Sequence, residues 1–118
     1  MSTEHSEQIG FLNWFRARFP SVLIFAIPNG GYRSITTAKK LKMEGVVPGI
    51  PDLFVPKWRL WIEMKNFDGG TLSKEQTKII YHLQEIGYFV IIGNGATDAS
   101  VKVLGFFRKE HLIGGRDE

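Results

Sequence analysis

Residues 48–65 read PGIPDLFVPKWRLWIEMK, and this pattern sets the expected architecture. Apolar and polar side chains alternate over its second half, as they do on strands, where successive side chains point to opposite faces. The pattern predicts two antiparallel strands, Asp52–Val55 and Leu60–Lys65, joined by a tight turn at PKWR. We expect this strand pair to lie at the centre of the fold.

Six further elements are predicted from hydrophobic periodicity, capping residues and the glycines and prolines between them. Their order is αβ(α)ββαβα, which predicts an α/β fold: a mixed central sheet of about four or five strands flanked by helices. The apolar run YFVII predicts a strand in the centre of the sheet, and Asp98 is expected to cap the last helix. The six elements are a helix from Ser2 or Thr3 to Phe19, a strand Val22–Ile27, a helix Ser34–Met43, a helix from Thr71 or Ser73 to Ile86, a strand Tyr88–Ile92 and a helix Asp98–Phe107.

Composition and length favour a single soluble domain. The chain has 118 residues, of which 43% are hydrophobic and 23% charged, and its net charge of +3 suits a polyanionic partner without requiring one. It has no cysteine, which excludes disulfides and thiolate metal sites, and it has no apolar run long enough to span a membrane. We therefore expect one domain over residues 1–113, a flexible tail over 114–118, and a cytoplasmic location.

Two acidic residues and a lysine are expected to meet on one face of the strand pair. Glu63 and Lys65 are two residues apart on a strand, so they share a face. A short turn can bring Asp52 opposite Glu63, and two neighbouring carboxylates raise each other's pKa unless a cation lies between them. A hard divalent ion would resolve this conflict. A turn at Pro-Asp and a surface ion pair at Glu-x-Lys are the structural alternatives.

Five short motifs, in this order and spacing, resemble the VRR-NUC domain of the PD-(D/E)xK nuclease superfamily. They are the NGGYRS segment, PGIPDLFV, WIEMK, LSKEQ and the apolar strand YFVII, preceded by a helix that carries Glu7 and Gln8. The resemblance covers nearly the whole chain. It implies a restriction-endonuclease-like core and a phosphodiester-cleaving activity.

The resemblance also implies a metal site. Asp52, Glu63 and the backbone carbonyl of Met64 would hold Mg²⁺ or Mn²⁺, which matches the preference of these ions for oxygen ligands. Glu7 corresponds to the acidic residue of the first helix and would help to hold a second ion. A dipole-favoured, exposed acid is the structural alternative for Glu7.

Two further residues receive catalytic roles from the resemblance. Lys65 would be the catalytic lysine, and Gln76 would support the site from the following helix. Gln76 can instead be an ordinary polar position on an amphipathic helix. The densest basic cluster is predicted to contact the DNA backbone, although a solvated helix face would have the same composition. This cluster consists of Arg33, Lys39, Lys40 and Lys42.

The substrate is expected to be branched DNA. Small VRR-NUC proteins of phages and bacteria resemble Holliday junction resolvases that act as homodimers, and a four-way junction needs two symmetric nicks. Phe11, Phe106 and Phe107 are apolar candidates for a dimer interface, although each can equally belong to the core. The alternatives are a flap or general structure-specific endonuclease, and a non-catalytic DNA-binding module in which the carboxylates are structural.

Overall fold

Four α-helices and a four-stranded mixed sheet form the described part of the chain, which covers residues 3–28 and 34–111 of a computed structural model. The predicted α/β class and order of elements are confirmed. In chain order the elements are α1 (Glu4–Arg18), β1 (Phe25–Ala26), α2 (Ile35–Met43), β2 (Leu53–Val55), a 3₁₀ turn (Pro56–Trp58), β3 (Leu60–Lys65), α3 (Lys74–Glu85), β4 (Phe89–Asn94) and α4 (Ala96–His111).

The strand pair β2–β3 lies in the middle of the sheet, whose order is β1-β2-β3-β4. β1 and β3 both run antiparallel to β2, whereas β4 runs parallel to β3. Leu53 faces Ile62 in the β2–β3 register. A 3₁₀ turn joins these two strands and ends at Arg59, whose φ of 54° is left-handed.

The two faces of the sheet have different coverings. Leu60, Ile62 and Met64 of β3 point into the main core, where α1 and α4 pack together and contribute Phe11 and Phe15 from α1. The other three side chains of β3 point to the opposite face. Helix α3 packs against β4. The catalytic candidates on β3 are therefore on the face away from the main core.

Strand β4 was predicted to be central and is instead at one edge of the sheet, because the described residues supply no fifth strand. Its apolar composition reflects packing of helices on both sides rather than a central position. Two backbone groups at its C-terminal end bond to side chains of α4. Asn94 N–H donates to Asp98 (2.8 Å), and Lys102 donates to the Ile92 carbonyl (2.7 Å).

Asp98 was predicted to cap the last helix, and this is wrong. Helix α4 begins two residues earlier, at Ala96, so Asp98 lies in its first turn. Its carboxylate accepts a hydrogen bond from Asn94 of β4 and pairs with Lys102 at 2.9 Å. The side chain therefore joins the helix to the strand before it.

Helix α1 begins with a capping box between Thr3 and Ser6. Ile9 of this helix is 46% exposed, whereas Phe11 is fully buried. The aromatic residues set which face of this helix is inside, because they bury the most area. Phe11 and Phe107 both belong to the core, so neither is available to a dimer interface.

Two sequence predictions lie outside the described residues: the role of Arg33 within NGGYRS, and the tail at 114–118. Strand β1 is shorter than the predicted Val22–Ile27 and spans two residues, although Val22 and Ile24 are buried beside it. Among the described helices, none has the length and apolar character that a membrane crossing would need.

Candidate active site

Asp52 and Glu63 lie side by side at one end of the β2–β3 pair. One step beyond the pairing of Leu53 with Ile62, the antiparallel register places Asp52 opposite Glu63. The Asp52 carboxylate accepts a hydrogen bond from the Met64 N–H at 2.8 Å. At the end of the β2–β3 ladder, the Met64 N–H thus bonds to the Asp52 side chain instead of to a backbone carbonyl. This bond holds the carboxylate at the end of the strand.

Glu63 is a buried acid with only part of its hydrogen-bonding capacity used. Its side chain is 3% exposed. Oε2 accepts a hydrogen bond from Gln76 Nε2 at 2.9 Å and lies 3.6 Å from Lys65 Nζ. Oε1 is buried and has no hydrogen-bond donor. A buried carboxylate oxygen without a donor is costly unless a cation compensates it.

Gln76 reaches the site from the first turn of α3. Its side-chain oxygen accepts from Lys65 Nζ at 3.1 Å and from the Ser73 N–H at 2.9 Å, while Ser73 caps the Gln76 N–H in return. The capping box therefore fixes the amide that bridges Glu63 and Lys65. Asp52, Glu63, Lys65 and Gln76, all predicted from sequence, lie together.

Asp52 and Glu63 form a largely buried acidic pair whose negative charge Lys65 compensates only in part. Burial and the nearby Asp52 charge raise the pKa of Glu63 to about 7, against a partial lowering by Lys65. Burial also raises the pKa of Asp52, although the bond from Met64 N–H lowers it. Such raised values on paired acids are frequent at functional sites.

The Met64 carbonyl points toward the side of β3 where Asp52 lies. Backbone groups alternate in direction along a strand, and the Lys65 carbonyl bonds to Gly95 beyond β4 (2.8 Å). The Met64 backbone therefore faces β2, where its N–H meets Asp52. The residue opposite Met64 in the register is Pro51, which has no N–H to offer. The proline leaves this carbonyl without its ladder partner.

These oxygens fit a hard divalent ion. Mg²⁺ prefers a few carboxylates completed by waters, and two carboxylates with a carbonyl provide such a start. Within residues 3–28 and 34–111, no three histidine, cysteine, aspartate or glutamate side chains cluster closely enough to form a metal site by themselves. A metal at Asp52 and Glu63 would therefore depend on the Met64 carbonyl and water.

Glu7 contacts the start of α4, and its predicted role in holding a second ion stays a prediction. Its Oε1 accepts a hydrogen bond from the Ala96 N–H at 2.6 Å, at the start of α4. A carboxylate at this point satisfies one unpaired N–H and interacts favourably with the helix dipole. Glu7 therefore caps α4 from α1 and joins the two helices that cover the core.

Replacing Glu7 with alanine is expected to lower the free energy of unfolding by about 1–2 kcal/mol, the usual cost of losing a helix cap. Metal-dependent stabilisation of the folded protein should be unchanged. Urea unfolding with and without Mg²⁺ measures both quantities. Glu85→Ala is the matched control, because Glu85 is an exposed acid at the C-terminal end of α3, and its removal should cost under about 0.5 kcal/mol. Loss of the metal effect in Glu7→Ala would return Glu7 to the metal site.

Glu4 is an exposed acid whose electrostatic effect on the site the sequence reasoning missed. Its negative charge raises the pKa of both Asp52 and Glu63, so it lies within electrostatic range of the pair. Glu4 is seven residues before the buried Phe11, and this spacing puts both on one helix face. That spacing was a usable signal, but Glu7 is also on this face, so sequence alone could not choose between them.

Gly49 is a second residue that was missed. Its φ is +92°, and a Cβ at this position would lie 2.7 Å from the Glu75 carbonyl carbon and oxygen and 2.9 Å from the Gln76 nitrogen. The loop before Asp52 thus rests directly on the backbone of α3. Only glycine allows this close approach, which brings the loop that carries Asp52 against the helix that carries Gln76.

The three lysines of the predicted basic cluster lie on α2, a helix that buries none of its side chains. Lys39, Lys40 and Lys42 are all exposed. Their contact with DNA stays a prediction, as does any role of Arg33.

The fold matches that of a known protein. A solved structure titled "VRR_NUC domain protein" superposes with a TM-score of 0.76, covering 92% of this chain and 90% of that chain at 23% sequence identity. The chain has the VRR_NUC domain fold. No protein-family model matches the sequence, and no curated protein does.

The VRR_NUC fold read from the five motifs is therefore confirmed by three-dimensional similarity. The motifs are short, and most positions between them are surface or interchangeable core residues. The structural similarity is clear at 23% sequence identity, whereas comparison of the sequence with family models and curated proteins finds no match. A shared fold does not by itself establish an activity, which depends on the residues of the site.

Proposed function

We propose that this protein is a Mg²⁺- or Mn²⁺-dependent DNA endonuclease. The observation that carries the proposal is the Glu63 carboxylate, which is buried beside Asp52 with one oxygen bonded by Gln76 and the other without a donor. A structural ion pair would use both oxygens or lie in solvent. A cation bound between the two acids would offset the free-energy cost of burying their charges side by side.

Asp52, Glu63 and the Met64 carbonyl would hold the ion. When bound, a divalent ion supplies Lewis acidity that stabilises negative charge on a phosphate and eases deprotonation of water. The Met64 N–H bond to Asp52 keeps that carboxylate in place. The preference is for ions with oxygen ligands because the site offers no thiolate or imidazole.

Lys65 and Gln76 would act on the attacking water and the charged phosphate. Lys65 Nζ bonds to the Gln76 oxygen at 3.1 Å, so its remaining protons can point to a substrate oxygen. Its positive charge lies in a poorly solvated place, where it stabilises developing negative charge more strongly than in water. Gln76 keeps the amine oriented while its own amide holds Glu63. In this hydrolysis the water oxygen would bond to phosphorus, the bond from phosphorus to the 3′ oxygen would break, and the 3′ oxygen would leave and take up a proton.

The proposed substrate is a four-way DNA junction, cut by a homodimer. Each chain contributes one such site, and two symmetric nicks require two chains related by a two-fold axis. The exposed lysines of α2 provide charge for phosphate contacts, which position DNA without reading its sequence. Flap or duplex cleavage, and binding without cleavage, are the competing outcomes of the test below.

The decisive experiment is cleavage of an end-labelled four-way junction with Mg²⁺, Mn²⁺ or EDTA. We expect symmetric nicks that need the metal, and a loss of at least about 10³-fold in Lys65→Ala, because electrostatic stabilisation at such sites is worth several kcal/mol. Lys78→Ala, on the exposed side of α3, is the matched control and should cut normally.

The outcomes separate the competing functions. Equal cutting of flaps and plain duplex would keep the nuclease and remove the junction assignment. If Lys65→Ala and Lys78→Ala both bind DNA without metal and no substrate is cut, including by the native protein, the protein is a DNA-binding module. Analytical ultracentrifugation with the junction reports whether one or two chains bind.

A further inference from the structure

An exposed aromatic ring lies in the loop that follows the catalytic strand. This loop, residues 66–70, reads NFDGG and connects β3 to α3, so it begins directly after Lys65. Phe67 is 66% exposed. An isolated exposed apolar side chain is common on protein surfaces, and its meaning depends on where it lies and whether its backbone is held.

The NFDGG loop is held at three places. Gly69 N–H donates to the Asn66 carbonyl at 2.9 Å and closes a turn. A Cβ on Gly70 would lie 3.4 Å from the Lys65 side chain, so the loop returns along that lysine. The backbone of Phe67 approaches Gly95 so closely that a Cβ there would be 2.9 Å from the Phe67 Cβ.

Gly95 ties this loop to the active-site strand as well. Its N–H donates to the Lys65 carbonyl at 2.8 Å, and its φ of +90° suits glycine. Phe67 therefore keeps two-thirds of its surface in solvent although its backbone is pinned against the end of β4. The exposure belongs to a fixed loop at the rim of the site.

We propose that Phe67 stacks on a nucleobase that is unpaired or unstacked at a branch point beside the cut. This proposal rests on the proposed nuclease function and adds the part of the substrate that the site recognises. Every base has an apolar face that an aromatic ring can stack on, so such a contact selects DNA structure without selecting sequence. In an intact duplex the base faces are already stacked on each other, and the ring gains nothing.

A second copy of the chain is the less favoured occupant of this ring. A dimer interface needs a continuous apolar patch of several hundred Å² on each partner. The neighbours of Phe67 in the NFDGG loop are Asp68 and two glycines, which offer little apolar area. A single ring with polar surroundings suits insertion beside a base better than a protein interface.

The test is equilibrium binding in EDTA, where metal-dependent cleavage cannot occur, to a four-way junction and to a duplex of equal length. Phe67→Ala is expected to weaken junction binding by about 5- to 100-fold, the range that one base stacked on an aromatic ring contributes. Duplex binding should change by less than about twofold. Phe67→Trp should restore junction binding, because the larger ring also stacks.

Tyr81→Ala is the matched control, because Tyr81 is 67% exposed and lies on α3. It should bind both DNAs as the native protein does. Equal junction affinity in native and Phe67→Ala protein would overturn the proposal, as would an equal loss on duplex and junction. A selective loss in a protein that cuts no DNA would support base stacking and reject the nuclease function.

Discussion

Glu63→Gln is expected to abolish both DNA cleavage and the stabilisation of the folded protein by Mg²⁺ or Mn²⁺. The glutamine keeps an oxygen for the 2.9 Å bond from Gln76 but removes the charge that would hold the ion. Since the Lewis acid contributes several kcal/mol and each 1.36 kcal/mol is tenfold in rate, the cleavage rate should fall by at least about 10³-fold.

The same variant should change how metal-free stability depends on pH. The pKa of Glu63 is about 7 in the folded protein, against an ordinary value of 4.5. Between these values the folded state binds more protons than the unfolded state, so stability falls as pH rises. We expect the native protein to lose stability from about pH 5 to pH 7. Glu63→Gln should show a shallower loss, to which the raised pKa of Asp52 still contributes.

Thermal unfolding at pH 8 measures the metal effect without any DNA. A ligand at roughly 100 times its Kd adds about 2.7 kcal/mol to the stability of the native protein, which raises Tm by about 10 °C for a domain of this size. Glu63→Gln should show no rise. Glu85→Gln, an exposed acid at the far end of α3, is the matched control and should respond as the native protein does. A full metal response in Glu63→Gln would place the ion elsewhere.

Gly49→Ala is expected to lower cleavage by about 10- to 100-fold. The new Cβ would lie within 3 Å of the backbone of Glu75 and Gln76, so either α3 or the loop before Asp52 must move. A displacement of about 1 Å in a positioned catalytic group can cost about 10²-fold. Gly49 acts through Gln76 and Asp52 and is a positioning residue.

Gly45→Ala separates this effect from backbone strain. Gly45 has a φ of +99°, similar to the +92° of Gly49, but a Cβ there would meet nothing within 4 Å. Both variants therefore bear the cost of alanine in a left-handed conformation, and only one displaces α3. We expect kcat to fall in Gly49→Ala with KM within about twofold, measured well below Tm. Equal kcat in the two variants would contradict the positioning role.

The positions of Asp52, Glu63 and Lys65 were predictable because they follow from one strand and one short connection, whereas Gln76 was assigned by resemblance to the VRR-NUC family. The period of two along a strand puts Glu63 and Lys65 on one face, and the short connection between β2 and β3 limits the register that can place Asp52 opposite Glu63. Ser73 and Gln76 form a capping pair that follows from helix chemistry alone.

The errors concern features that depend on packing between distant segments. An apolar strand reads the same at the edge of a sheet as at its centre, and β4 is at the edge because no further strand pairs with it in the described chain. Glu4 and Glu7 share a helix face, and only the position of α4 decides that Glu7 is the cap. Gly49 gives no local sign that α3 will pack against it.

The sequence by itself determined the order of the elements, the strand pair β2–β3 and the three charged side chains that this pair brings to one place. These follow from backbone periodicity and short connections, which involve residues close in the chain. The tertiary structure alone decided which acid of α1 caps α4, where β4 lies and how the loop before Asp52 meets α3. These depend on side-chain volume and burial summed over the whole core, and no local pattern encodes that sum.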